Sequence, residues 1–146
     1  MSITAKDYEY LYGLRKALGV SCRVTKCYGS SGLVAHRLQI GSRVLYERLL
    51  ALGLTPKKSL TIPALKIPDE WFHDFLRGVI DGDGNIRWWI HPSNGREQWT
   101  VRIVSASRPF LAWIQETVKR LWRVTGGLHV RPPASEKHHP LYTLKL

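Results

Sequence analysis

The spacing of hydrophobic and polar residues predicts alternating helices and strands along the chain. Apolar residues recur every three to four positions in four segments, the predicted helices 5–19, 42–52, about 69–82 and 109–123. Six segments are typical of strands, the predicted strands 20–27, 33–40, 85–91, 97–104, 127–131 and 141–146. Asp69 follows Pro68 at the start of the third helix and is its predicted N-cap.

The order of these elements predicts a degenerate internal repeat. A helix followed by two strands occurs at 5–40 and again at 109–146, and a Pro-bounded linker over 55–68 leads into the third helix. The fold class is therefore expected to be α+β with a truncated or permuted repeat. We assign residues 1–60 to a partial first repeat and residues 61–146 to a second.

The third helix ends in a string of glycines and aspartates. Gly78 and Gly82 are four residues apart, so they share one helical face and let another backbone approach closely. Asp81 and Asp83 follow where the helix is expected to unwind, and Gly84 is expected to adopt a left-handed conformation. Carboxylates that lie close together bind hard cations. Two other interpretations of the string Asp-Gly-Asp-Gly are a calcium loop and an acidic turn without function.

This string resembles the signature of LAGLIDADG homing endonucleases. The signature lies at Leu76–Gly84, with Arg77 and Gly82 in place of its two alanines. The preceding residues also resemble the family: Leu52-Gly53-Leu54, Lys58-Ser59, Pro63, Pro68-Asp69 and Phe75. The resemblance implies a LAGLIDADG-like mixed fold, with an antiparallel saddle-shaped sheet and helices on one face. It also implies site-specific double-strand DNA cleavage that depends on Mg²⁺ or another divalent cation such as Mn²⁺, in a nuclease encoded by an intron or other mobile element.

The resemblance further implies roles for the signature residues. In the family two motif helices meet, and each gives its last aspartate, here Asp83, to shared metal ions; the carbonyl of Gly82 is an expected second ligand. Asp81 is expected to shape the helix end, and Gly78 and Gly82 are expected to form the dimer interface. One motif cannot build a paired site, so we expect a homodimer or a partner chain that supplies a second motif. The alternative is an inactive LAGLIDADG-derived module, maturase-like or domesticated, that binds DNA or RNA without cutting.

The charge balance supports a nucleic-acid partner. The chain has 146 residues with 22 Lys and Arg against 11 Asp and Glu, a net charge of +11. Charge alone does not distinguish DNA, RNA and an anionic membrane, but no apolar run is long enough to span a bilayer. The amino-terminal segment lacks a signal region, and Cys22 and Cys27 are expected to be free thiols. We therefore expect an intracellular protein, in the cytoplasm, nucleoid or an organelle matrix, that is not secreted.

The strand pair after the motif has two contrasting faces. One set of side chains is apolar and is expected to pack beneath the helices: Ile86, Trp88, Ile90, Trp99, Val101 and Ile103. The other set, with Lys145 from the last strand, is the candidate DNA-binding surface: Asn85, Arg87, Trp89, His91, Arg96, Gln98, Thr100, Arg102 and Lys145. A two-stranded ribbon fits the major groove, where Arg reads guanine and Gln or Asn reads adenine. The simpler interpretation is an ordinary solvated face.

Overall fold

A computed structural model describes residues 1–29, 32–56, 58–133 and 139–146. The helices are α1 (Tyr8–Ala17), α2 (Arg43–Ala51), α3 (Phe72–Asp83) and α4 (Arg108–Trp122), with short 3₁₀ turns at Lys58–Leu60 and Asp69–Trp71. The strands are β1 (Ser2–Ala5), β2 (Val24–Tyr28), β3 (Val34–Gln39), β4 (Gly84–Ile90), β5 (Glu97–Ser105), β6 (Gly127–Arg131) and β7 (Leu141–Lys145). This confirms the α+β class and all ten predicted elements, whereas β1 was not predicted. Among the described residues, no helix combines the length and apolar character needed to cross a membrane.

The chain divides into a first unit, Met1–Arg48, and a second unit, Leu49–Leu146. The first unit is an antiparallel sheet in the order β1-β3-β2, with α1 packed against it through Leu11, Leu38 and Ile40. Asp7 begins α1, because its carboxylate accepts hydrogen bonds from the backbone N–H groups of Glu9 and Tyr10. The predicted boundary at 60/61 stays a prediction.

The second unit is an antiparallel sheet in the order β4-β5-β7-β6, with α3 and α4 packed on it. Its core is fully buried at five positions: Phe72, Ile103, Leu111, Ile114 and Leu144. The predicted linker contributes to this core, because Ile62 and Leu65 are buried in it and the hydroxyl of Ser107 donates a 2.6 Å hydrogen bond to the Ile62 carbonyl. It therefore packs as part of the second unit.

The two units repeat the same arrangement. Strand β1 ends at Ala5 and α1 begins at Tyr8, while β5 ends at Ser105 and α4 begins at Arg108, a constant offset of 100 residues. Strand β1 pairs with β3 as β5 pairs with β7, and Ile3 lies opposite Leu38 as Ile103 lies opposite Leu144. The predicted internal repeat is thus confirmed, and the first unit has no described counterpart of α3 and β4.

Two local predictions around α3 are wrong. Asp69 does not cap the helix: it lies in the preceding 3₁₀ turn, and Arg120 donates two hydrogen bonds to its carboxylate, at 2.5 and 2.6 Å. These bonds hold the pKa of Asp69 below its ordinary value and raise that of Arg120. Gly84 is extended, with φ of −101°, and α3 continues to Asp83. Glycine is needed there for space, because a Cβ atom would lie 2.5 Å from the carbonyl oxygen of Ile80.

The prediction for the apolar face of the β4–β5 hairpin is only partly right. Val101 and Ile103 pack in the core, as expected. Four other members of the set are exposed, with exposed fractions of about half or more: Ile86, Trp88, Ile90 and Trp99. Trp88 and Trp99 lie opposite each other, with ring centroids 6.3 Å apart. The outer part of the hairpin therefore extends beyond the residues that the core covers.

Candidate nucleic-acid interface

The glycine face of α3, formed by Gly78 and Gly82, is open. Nothing among the described residues lies within 4 Å of a Cβ atom built at either glycine, apart from neighbouring parts of the helix itself. The apolar residues Phe72 and Leu76 anchor another side of α3 in the core. The helix is thus fixed to its own sheet, while the glycine face has space for another backbone. The four-residue spacing of Gly78 and Gly82 predicted this space.

A groove of about 720 Å³ runs beside this face. Gly78 and Asp83 line it from α3, and Val104 lines it from β5. Most of the other lining side chains are apolar: Leu54, Ile62, Leu65, Phe75, Val79, Phe110 and Leu141. Asp74 also lines the groove, although no pattern in the sequence pointed to it. An open, mostly apolar groove beside Gly78 is suited to the apolar face of a helix.

Asp83 is the last residue of α3 and immediately precedes the edge strand β4. Its side chain is exposed, and it makes no hydrogen bond or ion pair with any described residue. Asp81 is also exposed but lies within the helix. The described residues contain no cluster of three or more His, Cys, Asp or Glu side chains that would hold a metal ion. One chain alone therefore does not fit a magnesium site, since the expected ligands reduce to Asp83 and the Gly82 carbonyl.

The strand pairing brings the candidate DNA-binding side chains onto one face of the second sheet. Asn85 lies opposite Arg102, Arg87 opposite Thr100, and Trp89 opposite Gln98. Lys145 of β7 lies opposite Arg102 on the same face of the sheet, because β7 pairs with the edge of β5 that faces away from β4. We call these seven residues the polar face: Asn85, Arg87, Trp89, Gln98, Thr100, Arg102 and Lys145.

The alternation of side chains also places Thr143, His129 and Arg131 on the polar side of the sheet. His129 was not predicted, although it alternates with the apolar residues Leu128 and Val130. The strands carry no carboxylate on this side among the described residues, because Glu97 pairs with Ile90 on the opposite side. The surface is therefore positively charged without a compensating acid in its strands.

Trp89 and the hairpin turn have definite positions. The guanidinium of Arg87 lies over the ring of Trp89, 5.5 Å from its centroid, so the half-buried tryptophan supports the arginine. His91 and Arg96 lie outside the strands, and the His91 N–H donates a 2.8 Å hydrogen bond to the Arg96 carbonyl. These two residues close the hairpin at the end of the polar face, and the regular pairing does not extend to them.

Comparison with known proteins identifies the fold. Searches of protein-family profiles and of curated proteins give no match. The structure is similar to a crystal structure of the N-terminal LAGLIDADG domain of DUF199/WhiA, with a TM-score of 0.55 and 15% sequence identity. The similarity covers 99% of this chain and 64% of that chain, so this chain spans less than two thirds of the length of its structural neighbour. The chain has a LAGLIDADG-like fold.

In this LAGLIDADG-like fold the polar face and the acidic helix end are neighbours. Val104 follows Ile103, whose side chain is in the core, so it points to the polar side of the sheet. Val104 and Asp83 line the same groove. The structure therefore brings the open glycine face, the exposed carboxylate and the rim of the polar face to one region of the second unit.

Proposed function

We propose that the chain is a site-specific, double-strand DNA endonuclease of the LAGLIDADG homing type that becomes complete when two motif helices pair. The observation that supports this most is the groove shared by Gly78, Asp83 and Val104. A helix seated there would bring a second carboxylate to the first, next to the surface suited to DNA. We expect activity to require Mg²⁺ or Mn²⁺, with Asp83 and the Gly82 carbonyl as ligands and Asp81 shaping the helix end.

DNA binding is proposed to use the polar face. Arg87 and Arg102 lie diagonally on neighbouring strands, and both are free of carboxylate partners among the described residues. The Nε atom of Arg102 is buried and has no hydrogen-bond partner within the described structure. Arg side chains on a two-stranded ribbon reach guanine edges in the major groove, while Asn85 and Gln98 suit adenine. His91 and Arg96 at the turn and Lys145 at the rim would add contacts to the phosphate backbone.

Pairing is proposed to occur through the glycine face, most simply with a second copy of the chain. A contact between identical faces around a two-fold axis makes two Asp83 side chains neighbours and matches the two-fold symmetry of duplex DNA. The apolar lining of the groove supports burial by another helix. A partner chain with its own motif helix would fill the same groove.

A second candidate function is DNA or RNA binding without cleavage. It is favoured by the donor set at the motif, because the described residues there do not form a cluster of three or more metal-binding side chains. Such a module would use the same polar face. The two candidates therefore differ in the role of Asp83 and agree on the role of Arg87.

The deciding experiment combines binding selection with cleavage. A randomised duplex library is selected for binding, and the selected site is then incubated with the chain and Mg²⁺. We expect a double-strand cut that Asp83→Asn abolishes while DNA binding persists; Asp81→Asn, a neighbouring exposed carboxylate, is the matched control and should retain cleavage. Specific binding without any cut supports the second candidate. Normal cutting by Asp83→Asn contradicts the catalytic assignment. The absence of any preferred site contradicts the endonuclease and leaves only the RNA-binding form of the second candidate, which the same selection with an RNA library tests.

The polar face is tested separately by arginine replacement. Arg87→Ala and Arg102→Ala should each lose roughly 1–3 kcal/mol of discrimination between the selected site and scrambled DNA, since a bidentate base contact is removed. Lys66→Ala is the control: this exposed lysine lies outside the sheet and should weaken both DNAs equally, if at all. Fluorescence anisotropy over a salt series measures both effects. Equal weakening of the two DNAs by the arginine variants would show that the polar face does not read sequence.

A further inference from the structure

The first unit carries an unbroken track of aromatic and cationic side chains on the side of its sheet where α1 lies. On α1, the rings of Tyr8 and Tyr12 stack with their centroids 6.1 Å apart. Tyr8 also meets the ring of His36 on β3 edge to face, at 5.3 Å. His36 lies opposite Lys26 of β2, and the Lys26 ammonium lies 5.8 Å from the centroid of the Tyr28 ring. We call these five residues the aromatic track.

Two further cations lie at the Tyr12 end of the aromatic track. The Arg15 guanidinium and the Lys16 ammonium are each 4.8 Å from the centroid of the Tyr12 ring. Neither side chain makes a hydrogen bond or an ion pair with a described residue, and the buried Nε atom of Arg15 has no partner there. An aromatic ring therefore holds both charges in place, and no carboxylate neutralises them.

Few carboxylates of the first unit oppose these cations. Residues 1–48 contain three acidic residues against eight Lys and Arg. The Asp7 carboxylate caps α1, and Glu47 forms an ion pair with Arg43. Glu9 is then the acidic residue of this unit without such a partner among the described residues. The surface around the aromatic track is therefore positively charged and suited to a polyanion.

The equivalent part of the second unit has a different chemistry. Ala112 of α4 stands at the place of Tyr12, and Gln115 stands at the place of Arg15. Gln115 donates a 2.6 Å hydrogen bond to the carbonyl of Gly126, next to β6, which is the edge strand farthest from β4. The repeat therefore forms without an aromatic ring or a cation on this side of its helix, and folding alone does not account for the aromatic track.

We propose that the aromatic track binds a single-stranded nucleic acid. Single strands bind where aromatic rings stack on their bases and cations follow their phosphates. The rings of Tyr8 and Tyr28 are 42% and 67% exposed, so bases can reach them, and Lys26 lies between these two rings along the track. A duplex is a poorer ligand, because its base faces are hidden in the stack. This site belongs to the first unit and does not depend on the polar face or on DNA cleavage.

An anionic membrane is the other polyanion that a basic aromatic surface attracts. Membrane-bound surfaces insert a continuous apolar face among the lipids and place their cations around it. In the aromatic track, His36 and Lys26 separate Tyr8 from Tyr28, so rings and cations alternate. Bases and phosphates alternate in the same way along a single strand, which favours the nucleic acid.

The test measures the binding of labelled oligouridine and oligodeoxythymidine, each of about 15 nucleotides, to the full chain by fluorescence anisotropy. We expect saturable binding that Tyr8→Ala weakens at least about tenfold and Tyr8→Phe preserves, because the ring stacks on a base and the hydroxyl does not. Tyr10→Ala is the matched control, since this exposed tyrosine lies on another side of the same helix and should bind normally. Binding of oligouridine alone identifies the ligand as RNA, and equal binding of both strands identifies a site that accepts either.

The charge of the aromatic track is tested at an exposed strand position, independently of the stability of α1. Lys26→Gln should weaken strand binding and reduce the slope of log K against log salt by about 0.7, because one phosphate contact is lost. Arg37→Gln is the matched control: this exposed arginine follows His36 and therefore lies on the opposite face of the same sheet. It should leave both the affinity and the slope unchanged.

The contrary outcomes are distinct. Failure of both strands to bind, or binding that Tyr8→Ala and Lys26→Gln leave unchanged, refutes the aromatic track as a binding site. Loss of strand binding in Arg87→Ala means that the strand occupies the polar face instead. Binding to phosphatidylserine vesicles that Tyr8→Ala weakens, without any strand binding, assigns the track to a membrane and overturns the proposal. Duplex binding and cleavage are measured on the same variants, so failure of the proposed function is seen independently of failure of this site.

Discussion

Adding a methyl group to the glycine face should strengthen the fold and weaken pairing. Gly78 lies in the middle of α3, and the space around its missing Cβ is open within the described structure. Alanine in a helix interior is more favourable than glycine by roughly 0.8–1.0 kcal/mol. Gly78→Ala should therefore raise the free energy of unfolding of the isolated chain by about that amount, since no steric cost offsets the gain.

The same methyl has the opposite effect if two α3 helices meet at Gly78. Overpacking at a close contact costs roughly 1–3 kcal/mol, and 1.4 kcal/mol is a tenfold change in an equilibrium constant. We therefore expect the dimer dissociation constant to increase by about tenfold to a hundredfold, with a parallel loss of cleavage. Gly78→Val should have a larger effect on pairing.

Urea unfolding of the monomer and sedimentation of the assembled protein measure the two effects separately. A shift in the urea midpoint with an unchanged denaturant slope would show that the mutation changes the stability itself. Gly13→Ala in α1 is the control, because that glycine is also open and helical but lies outside the glycine face. A destabilised Gly78→Ala chain would show that the face is packed within the chain. A stabilised variant that pairs and cuts like the parent, or a parent that is monomeric on DNA, would refute the paired-helix model.

Two further predictions concern the ends of α3. Gly84→Ala should lower the free energy of unfolding by roughly 1–3 kcal/mol, because its Cβ would overlap backbone atoms of Ile80; unchanged urea unfolding would contradict this. Asp69 has a folded pKa below its ordinary value of 3.8, so its stabilising effect is present above that value and lost as the pH falls through the folded pKa. The difference in urea midpoint between the parent and Asp69→Asn should therefore shrink in acid. The side chains of the Asp69–Arg120 ion pair are more than half exposed, so added salt should also reduce the difference in urea midpoint at neutral pH. A difference in midpoint that stays constant with pH and salt would contradict a stabilising role for this ion pair.

The elements with a local signal could be predicted from the sequence, and those that depend on distant partners could not. Helix α4 has a regular apolar stripe, and Pro109 lies at its start, so sequence alone locates it. Strand β1 has only four residues and pairs with a strand more than 30 residues away. Its existence depends on that long-range pairing, which no local pattern reports.

The predictions around the candidate site show the same distinction. Alternation placed Arg87 and Arg102 on one face, but the position of Lys145 beside Arg102 depends on β7 being the neighbour of β5. Asp69 has the residue type of a helix cap, yet Arg120, 51 residues away, binds its carboxylate. The exposure of Trp88 depends on where the helices stop covering the sheet, which periodicity does not reveal.

The requirements for folding and for chemistry can be separated within the motif. Gly84 is required by close backbone contact, and Leu76 by burial, so both would be needed in a module that only binds. Asp83 is different, because its exposed carboxylate makes no contact with the described residues that folding would require. A lone negative charge near the polar face repels phosphates, so in a pure binder Asp83→Asn should tighten DNA binding. In a paired nuclease the same charge is useful only with a cation, and Asp83→Asn should abolish cleavage. Without added metal both models predict tighter DNA binding by Asp83→Asn, so the loss of cleavage in Mg²⁺ is the result that shows whether Asp83 acts in chemistry.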